Sequence, residues 1–286
     1  MTRAIITALH KYTPFGDEFY EVLLDFYLDT MRKYDSEYDM LYLVDSTWNI
    51  DPTKLEGMKA KIVPVNPSLR YYDAYKEILP QVEEDLVLFL DNDTVIYKPG
   101  VIDSAFKWLG TGYDVVTILD TIGEYKTDKL WGKNKFCPYF FATRKNFLMK
   151  YLDVEWGPDM PYCETLGHLT ESMLNDDAKV WEIPEDKSSL LFDGSIGYGD
   201  DHRKDSTGIY HIRSGTLPAY LLATKKYGNT EEYWKYLKQQ PKSEFLRQSA
   251  FYSMMGGDVT PIIEDCGITR GDWDEYIRRF KEYHGF

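Results

Sequence analysis

The chain has 286 residues, 43% hydrophobic and 16% aromatic, enough for one large α/β domain with an appendage; 33 Lys and Arg against 47 Asp and Glu leave a net charge of -14. That acidic surface repels nucleic-acid backbones, so bulk-electrostatic nucleic-acid binding is disfavoured and any phosphate site must be built locally, for instance around a metal. No apolar run approaches the roughly 18 to 20 residues that cross a bilayer, and Cys137, Cys163 and Cys266, odd in number and far apart, suit neither a disulfide framework nor a cysteine zinc site.

Ala4 to Ala8 (AIITA) reads as a buried first strand. It runs into polar Lys11 with no small-residue cleavage site, so no targeting signal is seen and a cytoplasmic location is expected. Asp17 to Tyr34 has Phe19, Leu23, Phe26 and Thr30 at helical spacing and closes on Arg32 and Lys33, which suit the negative end of a helix. Met40 to Val44 and Ile62 to Val65 are the next strands, with a short helix expected over Thr53 to Met58. Ser68 to Leu79 is expected to be helical, capped by Ser68 and stopped by Pro80. Leu86 to Leu90 (LVLFL) is the most apolar strand, and it runs directly into Asp91-Asn92-Asp93-Thr94.

Further strands are expected at Val115 to Leu119, Tyr139 to Thr143, Val180 to Ile183 and Ile209 to Ile212. Two long polar stretches, Asp120 to Lys135 and Asp193 to Ser206, have the length of lids or binding loops. Beyond about Leu217 helical patterns take over in Glu231 to Gln239, Ser243 to Met255 and Asp272 to His284. The alternation of strands and helices implies an α/β fold with a mostly parallel sheet flanked by helices over residues 1–216, and a helical C-terminal appendage over 217–286. Trp234, Tyr236, Trp273 and Tyr276 in the appendage either support a homodimer or simply pack.

Ligands of open α/β sheets bind beyond the carboxyl ends of the strands, so two carboxylates one residue apart at such an end stand where a ligand would be. Aspartates at i and i+2 of an extended segment point the same way and present hard oxygens to Mg2+ or Mn2+, leaving coordination positions for phosphate oxygens. The plain alternative is a turn, which Asp and Asn both favour. Asn92-Asp93-Thr94 also fits a glycosylation acceptor, but the end of a buried strand is a poor place for one.

The segment SLRYYDAYKEILPQVEEDLVLFLDNDTVIYKPGVID resembles the central part of GT-A-fold glycosyltransferases, most closely glycosyltransferase family 8, the glycogenin and galactosyltransferase-like group. The resemblance spans roughly Ile5 to Gly215 and implies a nucleotide-sugar half over about 1–100 and an acceptor half over about 101–216. It implies a metal, Mn2+ or Mg2+, held by Asp91, Asp93 and His211, the last from GIYHIRSG; His168 has no such context. It places Thr7, Ala8, Leu9 and Tyr12 around the nucleotide base, and Lys76 where the family has an arginine, keeping the charge but losing the bidentate fork. Asp91, Asn92 and Gly215 are further donor contacts, and Glu171 matches an acidic position near the transferred sugar, where it binds hydroxyls or acts as a base. One departure is plain: the family's Lys-Pro-Trp is Leu217-Pro218-Ala219 here, so its diphosphate-binding lysine is missing.

The implied reaction is hexosyl transfer from a nucleoside-diphosphate sugar, foremost a UDP-sugar, to a carbohydrate or other hydroxyl, with Glu171 and Asp91 closest to the chemistry. Two rivals stay open. LFLDNDTVI with Gly199-Asp200-Asp201 also resembles a haloacid dehalogenase-type phosphatase, with Asp91 as nucleophile and Asp93 as acid/base. A non-catalytic sugar- or nucleotide-binding protein would keep the fold without turnover.

Overall fold

A computed structural model of the chain describes residues 1–9, 17–46, 49–92, 94–96, 98–121, 134–157, 166–183, 203–204, 209–211, 249, 253, 259–265 and 267–284. Its contacts divide the chain into two units: Met1–Lys11, Met31–Thr94 and Pro99–Pro184 form one, Tyr12–Thr30, Val95–Lys98 and Glu185–Phe286 the other. The expected boundary at residue 216 falls outside the described residues.

The first unit is built on a seven-stranded sheet. Its strands are β1 (Arg3–Leu9), β2 (Met40–Asp45), β3 (Ala60–Pro64), β4 (Leu86–Leu90), β6 (Val115–Thr121), β7 (Asn134–Arg144) and β8 (Val180–Glu182), in the order β3-β2-β1-β4-β7-β6-β8. β1 runs parallel to β2 and β4, β2 to β3, and β6 to β8, while β7 is antiparallel to both its neighbours. This is the mixed, mostly parallel α/β sheet flanked by helices that the strand pattern implies. β4 is buried at every position, as a central strand covered on both faces must be.

Three helices matter for the site: α2 (Tyr71–Ile78), α3 (Val101–Gly110) and α5 (Gly167–Asn175); a short α4 (Lys145–Leu148) follows β7. One core cluster joins α2 and α5 to a single face of the sheet, with Tyr75, Ile78, Leu169 and Met173 among Val87, Phe89, Phe136 and Phe141. By strand alternation Leu88 and Leu90 face the other way, and α3 packs on β6 and β7. α3 begins at Gly100, whose φ of 83° suits a residue without Cβ, and the half-turn carboxylate of Glu37 accepts from the Gly100 and Asp103 amides at 2.6 and 3.1 Å. On the outermost described strand, Trp181 stacks on Trp108 of α3 at 3.8 Å, laying aromatic bulk beside the sheet edge.

Two local expectations are corrected. α2 starts at Tyr71 with Arg70 as its N-cap, not at Ser68, because Asn66 takes the Ser68 amide into a local turn at 2.9 Å. The segment expected to be a helix at 53–58 is a single 3-10 turn, Pro52–Leu55, held by the Asp51 carboxylate on the Thr53 amide.

The second unit holds most of α1 (Asp17–Lys33), a three-stranded sheet in the order β5-β10-β9, and the helices α6 (Thr260–Asp265) and α7 (Arg270–His284). β5 is Thr94–Ile96, β9 Arg203–Lys204 and β10 Ile209–His211, with β9 and β10 antiparallel. The described buried stripe of α1 is Leu24, Tyr27, Leu28 and Met31, whereas Thr30, expected on that stripe, is only half-buried. Thr269 opens α7, its hydroxyl accepting the Asp272 amide at 3.1 Å, which moves the helix start ahead of the expected Asp272. Trp273 and Tyr276 are buried and stacked on each other within the chain. The helical patterns at 231–239 and most of 243–255 lie outside the described residues.

Candidate functional site

The strand order of the main sheet reverses direction between β1 and β4: β2 and β3 lie to one side of β1, and every later strand lies to the other. Ligands of open α/β sheets bind at such a reversal, beyond the carboxyl ends of the flanking strands. Those ends here are Thr7-Ala8-Leu9 and Leu90-Asp91.

The floor of this crevice is closed by side chains. The β1–β4 ladder stops at Ile6 and Phe89. Beyond it the Thr7 hydroxyl donates to the Leu90 carbonyl at 2.8 Å, and the Ala8 amide donates to the Tyr75 hydroxyl at 3.2 Å, both buried. Side-chain oxygens thus satisfy backbone groups where the two strands part. On the other side of β1, the Ser46 amide and hydroxyl both donate to the Leu9 carbonyl, at 3.2 and 2.9 Å. Thr7, Ala8 and Leu9 are all buried, which makes them a floor and not a rim.

Asp91 is half-buried, and its amide donates to the Tyr139 carbonyl at 3.4 Å, carrying the β4–β7 ladder one residue past the strand. Its carbonyl accepts from the Thr94 amide at 3.0 Å, and the Thr94 hydroxyl donates to the Tyr139 carbonyl at 3.3 Å. The backbone on either side of the Asp-Asn-Asp element is therefore anchored to β7. The turn expected as the plain alternative is present in this hydrogen bond, and it coexists with the position at the strand end. Asn92 is half-buried; Asp93 lies outside the described residues.

β7 brings in the acceptor half. Between Thr117 and Leu119 of β6 the register shifts, β7 contributing the extra residues, and the Thr117 hydroxyl fills the irregularity by donating to the Phe140 carbonyl at 2.9 Å and accepting the Cys137 amide at 3.2 Å. Next to it, the Phe136 amide donates to the Thr170 hydroxyl of α5 at 3.0 Å. Glu171 follows Thr170 and is half-buried, so its helix is pinned to the carboxyl-edge end of β7, on the face that Phe89 and Phe136 share. α5 is entered through Leu166, which holds a left-handed φ of 61°. Its amide reaches the Trp156 carbonyl at 2.8 Å and its own carbonyl accepts the Thr170 hydroxyl at 2.7 Å, the contacts that hold an unfavourable backbone in place.

The Lys76 ammonium donates to the Val154 carbonyl at 2.7 Å and lies 6.0 Å from the Trp156 ring centre. Arg70, at the start of the same helix, spans Asp73 at 2.7 Å and Glu155 at 3.0 Å, and together these contacts bind the Val154–Gly157 segment to α2. Burial pushes the Glu155 carboxyl up, but Arg70 and the Gly157 amide outweigh it and hold the group below the ordinary glutamate range. The structure thus gathers Thr7, Ala8, Leu9 and Asp91 at one crevice and sets Glu171 at the same end of the sheet. His211 ends β10 in the second unit, and its side chain, like Tyr12 and Gly215, is outside the described residues. His168, on α5, is half-buried and partnered. Among the described residues no three His, Cys, Asp or Glu side chains gather as for a metal ion. Sequence reading missed Thr170, whose hydroxyl meets a backbone amide far away in the chain.

No protein-family model matches the chain, and a search of curated proteins finds no match. Among solved structures it is similar to the galactosyltransferase LgtC in complex with donor and acceptor sugar analogs, at 15% identity over 73% of this chain and 86% of that one, with a TM-score of 0.44. It is similar to 4-diphosphocytidyl-2C-methyl-D-erythritol synthase from Anaerococcus prevotii at 18% identity, over 65% of this chain and 90% of that one, with a TM-score of 0.41. A third, glucosyl-3-phosphoglycerate synthase from Mycobacterium tuberculosis in complex with Mn2+, UDP and phosphoglyceric acid, is similar at 16% identity over 51% of this chain and 56% of that one, with a TM-score of 0.37.

Proposed function

We propose that the chain is a metal-dependent glycosyltransferase of GT-A type that moves a sugar from a nucleoside-diphosphate sugar, foremost a UDP-sugar, to an acceptor hydroxyl. The observation that carries this reading is the place of Asp91: a half-buried carboxylate directly after the buried strand β4, at the strand-order reversal beside the end of β1. Asp91, Asp93 and His211 would hold Mn2+ or Mg2+, and the anchoring of Asp91 and Thr94 to Tyr139 suits a fixed ligand set of hard donors. The ion, when bound, neutralises charge on the departing diphosphate.

The chain's own residues do the rest. Thr7, Ala8 and Leu9 floor the nucleotide crevice, with Tyr12, Asn92 and Gly215 as further donor contacts and Lys76 bracing the wall beside it. Glu171 takes the acceptor side, orienting sugar hydroxyls or receiving the proton of the attacking one. The phosphatase reading asks for a nucleophile after the first strand in chain order, whereas β1, β2 and β3 all precede Asp91. A silent binding protein is separated from an enzyme by turnover alone.

Incubation of the purified chain with Mn2+ and a panel of nucleotide sugars should release nucleoside diphosphate, and Asp93→Ala should lose that release by two orders of magnitude or more, roughly the loss of one transition-state charge contact. Metal-independent binding of every donor, or phosphate release from sugar phosphates through an aspartyl intermediate, would sink the proposal.

A further inference from the structure

β7 is irregular on the side that faces Thr117. Two steps along β6, from Thr117 to Leu119, are matched by five along β7, from Phe141 to Phe136, so β7 carries three extra residues there. On its other side the strand stays regular against β4 as far as Phe140, which pairs with Leu90, and the next carbonyl, that of Tyr139, accepts the Asp91 amide at 3.4 Å. The irregularity thus lies in the stretch of β7 that meets the acidic turn, and bulges of this kind re-aim the groups beside them.

Side-chain hydroxyls hold this stretch. Thr117 is fully buried, and its hydroxyl accepts the Cys137 amide at 3.2 Å. The same oxygen lies 2.9 Å from the Phe140 carbonyl and 3.0 Å from the Ile118 carbonyl, between which its one proton is shared. Pro138 has no amide to satisfy. Tyr139 is therefore flanked by residues that Thr117 holds, Cys137 before it and Phe140 after it. Consecutive carbonyls point to opposite neighbours, that of Phe140 to β6 and that of Tyr139 to β4. The Tyr139 carbonyl accepts twice, from the Asp91 amide and from the Thr94 hydroxyl at 3.3 Å, so it grips the acidic turn before Asn92 and after Asp93. Each link from the Thr117 hydroxyl to Asp91 is a hydrogen bond or a peptide unit.

We infer that Thr117 is a positioning residue for the metal site: its hydroxyl fixes the irregularity of β7 so that the Tyr139 carbonyl holds Asp91 and its turn ready for a divalent cation. The inference rests on the glycosyltransferase reading and deepens it. Exchanging the hydroxyl for a methyl group takes this partner from the Cys137 amide and the Phe140 carbonyl, and the backbone between them shifts to find others. The alternative is that Thr117 contributes stability alone.

The test measures UDP affinity by calorimetric titration at one fixed concentration of Mn2+ and again in EDTA, and takes the ratio. It is run on the full chain and on Thr117→Val, Thr117→Ser and Thr143→Val. Thr143 is the control, a fully buried threonine near the other end of β7 whose hydroxyl donates to the Asp114 carbonyl at 2.7 Å. Both valine variants should melt at a lower temperature. Only in Thr117→Val should the gain that Mn2+ gives fall, by about tenfold, the lower end of the cost of disturbing the outer partners of a metal site; Thr117→Ser should recover most of it. If Thr117→Val does not fold, Thr94→Val, which takes the turn's own hydroxyl from the Tyr139 carbonyl, is titrated in its place with the same expectation. An unchanged ratio in the folded variant, or an equal fall in Thr143→Val, overturns the inference and leaves the glycosyltransferase reading standing. An unmodified chain whose UDP affinity gains nothing from Mn2+ overturns both.

Discussion

Three buried tyrosines are held by contacts that fill the first unit. Burial, helped by a neighbouring carboxylate, pushes Tyr38 (beside Asp35), Tyr42 (donating to Glu84 at 2.9 Å) and Tyr151 (donating to Asp176 at 2.8 Å) each up to about 12 from an ordinary 10.0. A raised folded-state value means that the folded chain keeps a proton the unfolded chain gives up. Their stabilisation is therefore complete below about pH 10 and lost as pH rises through about 12. Tyrosinate absorbance should rise in two stages, exposed tyrosines first and these three only with loss of tertiary structure; one smooth titration near the ordinary value would refute this. At this scale Asp91 was legible from a local pattern, an apolar run ended by acceptors. Thr170 was not, because its hydroxyl meets the Phe136 amide of β7, 34 residues earlier in the chain.

Helices show the same divide. α1, α2 and α7 were visible in periodicity, though Ser68 was the wrong start for α2, since Asn66 competes for its amide. α3 went unseen although its apolar face is regular. Its N-terminus has no capping side chain of its own, and its anion, Glu37, comes from 63 residues earlier in the chain. Glu37→Ala removes the acceptor of two amides at a helix N-terminus and should cost about 1 to 2 kcal/mol. Denaturant unfolding followed by circular dichroism checks it; a midpoint equal to that of the unmodified chain would mean that water replaces the carboxylate without loss. β7 is the other element that local pattern understated, being longer at its beginning than Tyr139 to Thr143 because the irregularity opposite Thr117 interrupts its alternation.

For the molecule as a whole, the seven-stranded sheet supplies stability while its carboxyl edge supplies the proposed site, so ligand binding should feed back on unfolding. Mn2+ with UDP at about 100 times the dissociation constant should add about 2.7 kcal/mol to the unfolding free energy. Thermal melts should show a rise in the midpoint that needs both components and is absent in Asp93→Ala. A rise of equal size from UDP alone would argue that the acidic turn holds no metal.

The sequence alone determined the strands of the main sheet, that β4 is the most apolar of them, and that two carboxylates follow it, because periodicity, burial and a polar stop are all local properties; the short β5 and β9 it did not give. Only the tertiary structure decided that the strand order reverses between β1 and β4 and that β7 runs against its neighbours. The reason is physical: strands buried on both faces are nearly uniform apolar runs, so nothing within them names their partners. Pairing and register are settled when all the strands and their covering helices compete for the same core.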